Sequence, residues 1–392
     1  MKLTTTRALV LAAVAASIYP VLRAQQQLTL PEPFATPSTS NQSRVVPRPA
    51  GTELRVPAGF TISLFADNMP QARIMVWAPN GDLFVARSRA GAIDVLRGGD
   101  PAMRTEYASG LQNPFGLAFQ SGYLYVGETT KMSRYKYQPG DAKPSGPPEK
   151  LIDLPSGGHS TRNIAFSADG KKMYIAVGSQ SNKSAGEDPV RAAINEYNPD
   201  GTAHRVFASG IRNPVGLAWQ PGTNALWTAV NERDTLGDDL VPDYITSVKD
   251  GGFYGWPYSY IGSHPDPEHV GKMPELVKRA IVPDVLIPAH SAALGITFYT
   301  ATQFPQRYRN GAFVGLHGSW NRAKPQGYRV AFVPFTNGKP TGGPEDFVTG
   351  WQLTDSPNTV WGRPVGVTVH RDGSLLVSDD GGGRIWRVTY KN

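Results

Sequence analysis

Two stretches of this chain, offset by 100 residues, are near copies of each other: ASGLQNPFGLAF from Ala108 and ASGIRNPVGLAW from Ala208. A weaker form of the pattern (polar start, apolar triplet, Gly or Pro turn, second apolar run) recurs around Arg73, His159, His290 and Arg363. Taking Met75, Leu117, Ile164, Leu217, Ile296 and Val367 as equivalent positions, six units emerge at spacings of 42, 47, 53, 79 and 71 residues. That period matches a four-stranded propeller blade with insertions. Each unit opens as two short β-runs joined by a tight turn such as Asn80-Gly81, Asp169-Gly170 or Asp372-Gly373, which is a hairpin signal. The repeat predicts an all-β, six-bladed β-propeller of four-stranded antiparallel blades. The run from Gly59 to Ala66 is expected to close the ring beside Arg384 to Tyr390.

Composition agrees. The chain has 42 Gly, 34 Pro and only 18% charged residues, which argues against long helices, while 40% hydrophobic residues suffice for a core. There is no Cys, so disulfides, thiolate metal sites and cysteine nucleophiles are excluded together. Lys2 and Arg7 precede the apolar run from Ala8 to Leu22, and this reads as a signal peptide over residues 1–24, cleaved near Ala24. The mature protein is then expected to be periplasmic or secreted and not integral to a membrane. Without residues 1–24 the formal charge falls from +7 to +4, with no basic run suited to nucleic acid. Residues 25–55 are polar and Pro-rich and read as a tether, leaving 56–392 for the propeller.

In a hairpin, the start of the first strand and the end of the second lie at the same edge. If the first strand is innermost, six such edges surround one mouth of the channel. Arg73, His159, Arg212, Asn213, His290 and Arg363 come from strand starts; Gln180, Asn231, Asp234, His317, Asn321, Arg322 and Asp380 come from strand ends. This arginine-rich ring fits an anionic cofactor or substrate. His159, in the turn GGHSTR, is the candidate general base, and Arg212 a candidate for stabilising an oxyanion. The same residues also fit plainer roles: a structural histidine, and an arginine paired with a loop acid. Trp320 suits stacking on a flat ligand, and the acidic turn NERDTLGDD after Val230 suits either a hard cation or solvent.

As an ordered set, GGHSTRNIAFSADGKKMYIAVG, ASGIRNPVGLAW, NERDTLGDDL, GGFYGWPY, HGSWNR and GRPVGV resemble the soluble pyrroloquinoline-quinone-dependent sugar dehydrogenases, particularly the sorbosone dehydrogenase branch, over about residues 56–392. The resemblance implies a six-bladed propeller that oxidises an aldose or sugar aldehyde, with pyrroloquinoline quinone and calcium as cofactors and an external electron acceptor. His159 matches the base that takes the hydroxyl proton, and Arg212, Asn213, Gln180 and Arg363 match cofactor contacts. Gln180 also falls near the substrate. Asp234 and Thr235 fall where the family offers backbone carbonyls to calcium. Two departures stand out. Arg73 replaces a glutamine near the substrate, and HGSWNR lacks a lysine that contacts the quinone, so either His317 or Arg322 assumes that contact or the cofactor is held differently. Two other functions use the same mouth: a metal-dependent propeller lactonase or hydrolase, and a non-catalytic glycan-binding propeller. The insertion from Tyr258 to Pro288 reads equally as a lid, a homodimer surface or a plain loop.

Overall fold

In the computed structural model, residues 29–391 are described. Six sheets follow one another along the chain, five of four antiparallel strands and one in which a fifth strand, Gly252–Phe253, adds in parallel to four antiparallel ones. Their innermost strands are Ala72–Trp77, Gly116–Gln120, Arg162–Phe166, Asn213–Trp219, Ala293–Phe298 and Pro364–Val369, and each contains one of the six repeat positions. We number the blades one to six in that order. Ring closure is as expected: Phe60–Ala66 pairs antiparallel with Arg384–Tyr390, so the last blade takes its outer strand from near the N-terminus.

Burial follows position within the blade. The second strand of the third blade, Met173–Val177, is buried on both faces because blades flank it on either side. The outermost strand Glu149–Asp153 of the second blade has no fully buried residue. Apolar side chains from facing sheets form the seams. Phe84, Ile93 and Val95 meet Leu124, Val126 and Tyr135 between the first two blades; Trp227, Ile245 and Ile287 meet Phe298, Val314 and Phe335 between the fourth and fifth. Burying such side chains contributes roughly 1.5–3 kcal/mol each.

The residue before each repeat position explains the tight inner ring. It is glycine in four blades, and a Cβ on Gly216 would lie 2.3 Å from the Leu294 oxygen, one on Gly366 2.2 Å from the Arg73 oxygen. Neighbouring inner strands therefore approach backbone to backbone. In the third blade Asn163 takes this place and donates from Nδ2 to the Val215 oxygen at 2.9 Å. Two positions after each repeat position the side chain is aromatic in five blades, and Trp77, Phe119, Phe166, Trp219 and Phe298 line an apolar cavity of about 440 Å³ at one channel end.

The segment expected as a tether is docked from Glu32 onward, within one compact unit spanning 32–392. Phe34 N donates to Leu236 O at 2.7 Å, Asn41 N to Trp320 O at 2.7 Å, and Arg44–Val45 pairs in parallel with Thr359–Val360. The composition is too polar for a core, but its backbone groups find partners on blade loops, and this suffices to order it. The signal peptide expected at 1–24 lies outside the described residues. No helix among the described residues is long and apolar enough to cross a membrane.

Candidate active site

Strand register delivers the polar ring to the end opposite the aromatic funnel. Asn213 pairs with Asn231 in the fourth blade and Pro364 with Asp379 in the sixth, so strand starts and ends share one edge. They surround a cavity of about 220 Å³ lined by Arg73, His159, Arg212, Asn213, Asp234, His317, Trp320 and Arg363, together with Asn231, Glu232, Asp243, His290 and Asn321. The larger cavity at the other end is lined by no titratable side chain, so the chemistry belongs to the smaller one.

His159 is presented by a loop that two buried arginines hold from beneath. Arg162 donates to the oxygens of Pro155, His159 and Thr161, and Arg191 to those of Gly157 and Gly178. The His159 ring donates from Nδ1 to Ser179 O at 2.9 Å, which sets the tautomer and leaves Nε2 with its lone pair. Burial, and then the charge of Arg212, pull the imidazole down to about 4. It is therefore neutral near pH 7, as a proton acceptor must be.

Arg212 differs from the expectation of a free electrophile. Its fork is taken up within the protein: Nη1 donates to Glu232 O (2.6 Å) and Asn231 O (3.4 Å), Nη2 to Asp234 Oδ2 (2.8 Å) and Asn182 Oδ1 (3.0 Å), and Nε to Asn182 O (3.3 Å). Those bonds use all five donors of a guanidinium. Arg212 thus shapes the cavity through its charge and by fixing Asp234, and the plainer role of pairing with a loop acid is the one its geometry carries.

A second histidine, from the fifth blade, lines the same cavity. His317 Nε2 lies 2.8 Å from Asp380 Oδ1, and Asp380 Oδ2 lies 3.1 Å from Arg73 Nε. Burial, with help from Arg363, brings His317 also to about 4, while the cations around Asp380 outweigh its burial and hold that carboxyl low. Arg363 donates to His317 O at 3.0 Å and Gly318 O at 2.9 Å, so the HGSWNR turn is clamped from the sixth blade. Trp320 is 43% exposed at the rim, free to meet a flat ligand.

Three expected site residues do not reach the cavity. Gln180 is exposed, with its N–H on Glu187 Oε2 at 2.6 Å. Arg322 turns to Asp239 and donates to Ala289 O at 3.3 Å, because the acidic turn after Glu232 draws it outward. Thr235 points its hydroxyl toward Arg233 and Asn182. Conversely, the cavity floor includes Asp243, which sequence reasoning passed over because it lies on a third strand, away from any hairpin mouth. Asp243 accepts from Glu232 N (2.9 Å) and Ala292 N (2.7 Å). Burial raises Asp243 to about 6 and Glu232 to about 8. His290 bridges this floor to the mouth, with Nε2 on Gly237 O at 2.9 Å and Nδ1 facing Asp234 Oδ1 at 3.4 Å.

The fold and this arginine- and histidine-lined mouth define a class, the soluble pyrroloquinoline-quinone-dependent sugar dehydrogenases whose motifs the chain carries. Within it, the chain belongs to the TrAA12-like family, whose model matches residues 54–244 and 276–391. An uncharacterized protein of Borreliella burgdorferi is 29% identical over 86% of this chain and 91% of its own length. The aldose sugar dehydrogenase YliI of Escherichia coli is 28% identical, over 42% of this chain and 47% of the relative, so that match spans about half of YliI. Among solved structures, the calcium structure of the Trichoderma reesei family AA12 enzyme has a TM-score of 0.76 at 21% identity, covering 90% of this chain and 99% of that one. The holo form of the pyranose dehydrogenase PQQ domain from Coprinopsis cinerea has a TM-score of 0.73 at 20% identity, covering 88% and 98%. At these identities the structural likenesses show the fold.

Proposed function

We propose that this protein is an exported quinoprotein that oxidises an aldose or a related sugar aldehyde, passing electrons to pyrroloquinoline quinone and then to an external acceptor. The observation that carries the reading is His159: a half-buried, neutral imidazole of fixed tautomer at a mouth ringed by guanidiniums. The names of the E. coli and C. cinerea proteins, aldose sugar and pyranose dehydrogenase, support the substrate class.

The cavity suits the quinone's chemistry. A planar tricarboxylate needs cations and amide donors, and Arg73, Arg363 and Asn213 line the cavity with Trp320 at its rim. When bound, the cofactor supplies the two-electron acceptor that a chain without Cys lacks. The protein's own part is positioning and proton handling. His159 Nε2 takes the proton of the hydroxyl on the carbon being oxidised, and Ser179 O holds the ring against rotation as positive charge develops. Arg73 and Arg363 orient the carboxylates, and Trp320 offers its face to the sugar. His317, paired with Asp380, faces the cavity where the family's quinone-contacting lysine is missing, and it is the side chain left to make that contact, since Arg322 is turned away.

The test is reconstitution of purified protein with pyrroloquinoline quinone, followed by dye reduction with a panel of aldoses and sugar aldehydes. Saturable quinone binding and sugar-dependent turnover are expected. A folded protein that binds no quinone overturns the proposal. Export is tested separately, by fractionating cells and sequencing the N-terminus of the mature chain.

A further inference from the structure

The resemblance places calcium on the backbone oxygens of Asp234 and Thr235, and the donor set around Asp234 does not fit that ion. The Asp234 carbonyl oxygen accepts from Arg233 Nη1 at 2.8 Å and from Asn182 Nδ2 at 3.0 Å. A carbonyl oxygen has two lone pairs, so both are engaged, one of them by a formal positive charge. Each carboxylate oxygen of Asp234 also accepts a donor, Oδ2 from Arg212 at 2.8 Å and Oδ1 from Asn321 Nδ2 at 2.7 Å. The Thr235 hydroxyl accepts from the same two neighbours, Arg233 at 3.3 Å and Asn182 at 3.2 Å. Among the described residues there is also no group of three or more His, Cys, Asp or Glu side chains arranged to hold a metal.

Arg233 is fixed where it is. Its side chain is 2% exposed, its Nε is paired with the equally buried Asp266, and its Nη2 bonds Glu268 at 3.0 Å. Glu268 in turn pairs with Lys183, whose carbonyl bonds His269 Nε2 at 2.8 Å. Asp266 and Glu268 belong to the insertion in the fourth blade, within the stretch 245–275 that the family match leaves out. The insertion thus supplies two carboxylates that anchor a cation beside Asp234. Calcium on the Asp234 carbonyl would sit against that buried guanidinium, and placing two like charges together away from water is strongly unfavourable.

We infer that Arg233, anchored by Asp266, stands in for calcium at the Asp234 turn, so that this chain holds its quinone without a divalent cation there. The quinone half of this statement rests on the proposed function; the metal half does not. Calcium is titrated into quinone-free protein by calorimetry, and quinone is titrated by tryptophan quenching in chelator and in millimolar calcium. The expected results are no calcium binding tighter than millimolar, and quinone affinities equal within about twofold. Micromolar calcium binding, or quinone held about tenfold tighter in calcium, overturns the inference. In Arg233→Gln, folded by circular dichroism, quinone affinity in chelator should fall about tenfold, and an unchanged affinity counts against the inference. Should the variant fail to fold, the wild-type titrations decide alone. Quinone bound in neither buffer defeats the proposed function, and the calcium titration still judges the metal half.

Discussion

Replacing His159 with glutamine isolates the proton-accepting role, because the amide can still donate to Ser179 O, which the ring nitrogen meets at 2.9 Å. What is lost is a titratable nitrogen at Nε2. A positioned general base contributes roughly 10²–10⁴-fold in rate, or about 3–5 kcal/mol of barrier. The imidazole lies at about 4, chiefly through burial and then through Arg212. Its active form is the neutral one, so turnover is full above that value and lost as pH falls through it. Anionic carboxylates bound nearby offset the charge of Arg212 and move this acid limb upward, toward the ordinary histidine value of about 6.5. The assay is single-turnover reduction of quinone-loaded protein by sugar, from about pH 3.5 to about pH 8. Wild type should show one acid limb between about 4 and about 6.5, and His159→Gln a rate at least about 100-fold lower without that limb. Quinone affinity should change little. A variant within about tenfold of wild type, or one that keeps the same limb, refutes the assignment.

Three further outcomes are expected. Asp379 is buried and accepts from Trp351 Nε1, Trp386 Nε1, Arg363 N and Gly382 N, so Asp379→Ala orphans four donors. Urea denaturation should show a loss of about 4 kcal/mol or more, and a loss below about 1 kcal/mol would refute this account of the sixth blade. Gly216→Ala places a methyl 2.3 Å from the Leu294 oxygen, and it should cost about 1–3 kcal/mol, whereas Gly146→Ala, with nothing within 4 Å, should be nearly neutral in the same denaturation series. Glu232 keeps its proton in the folded state up to about 8, while an unfolded glutamate loses it near 4.5. Stability contributed by this group therefore falls as pH rises between those values, and Glu232→Gln should gain relative to wild type as pH is raised. Melting temperatures that differ by the same amount at pH 6 and pH 9 would contradict it.

The fold was largely legible because its signals are local. Each repeat position sits on an inner strand, and the alternation of polar start, apolar run and turn sets which end of the hairpin carries His159, Arg212 and Arg363. The site was legible only in part of its membership, since Gln180, Arg322 and Thr235 stay outside the cavity and Asp243 enters it. Nothing in the linear order announces that Arg212 spends its donors on Asn182, Glu232 and Asp234, or that Arg322 is drawn to Asp239. The docking of residues 32–46 was hidden for a similar reason. Its partners, Leu236, Trp320 and Val360, come from three separate connecting segments of the ring, and a polar segment carries no apolar pattern to point to them.

The six-fold repeat, taken alone, determined a closed ring of β-hairpins with a polar mouth where strands begin and end. Periodicity along a chain is enough for that, because hydrogen-bonded hairpins and their faces depend on near neighbours. The protonation of His159 and His317, the pairing of every arginine at the mouth, and the guanidinium beside Asp234 were decided by the tertiary structure. Desolvation and Coulomb energies sum over groups from all the blades at once, and those distances exist only after the ring has closed.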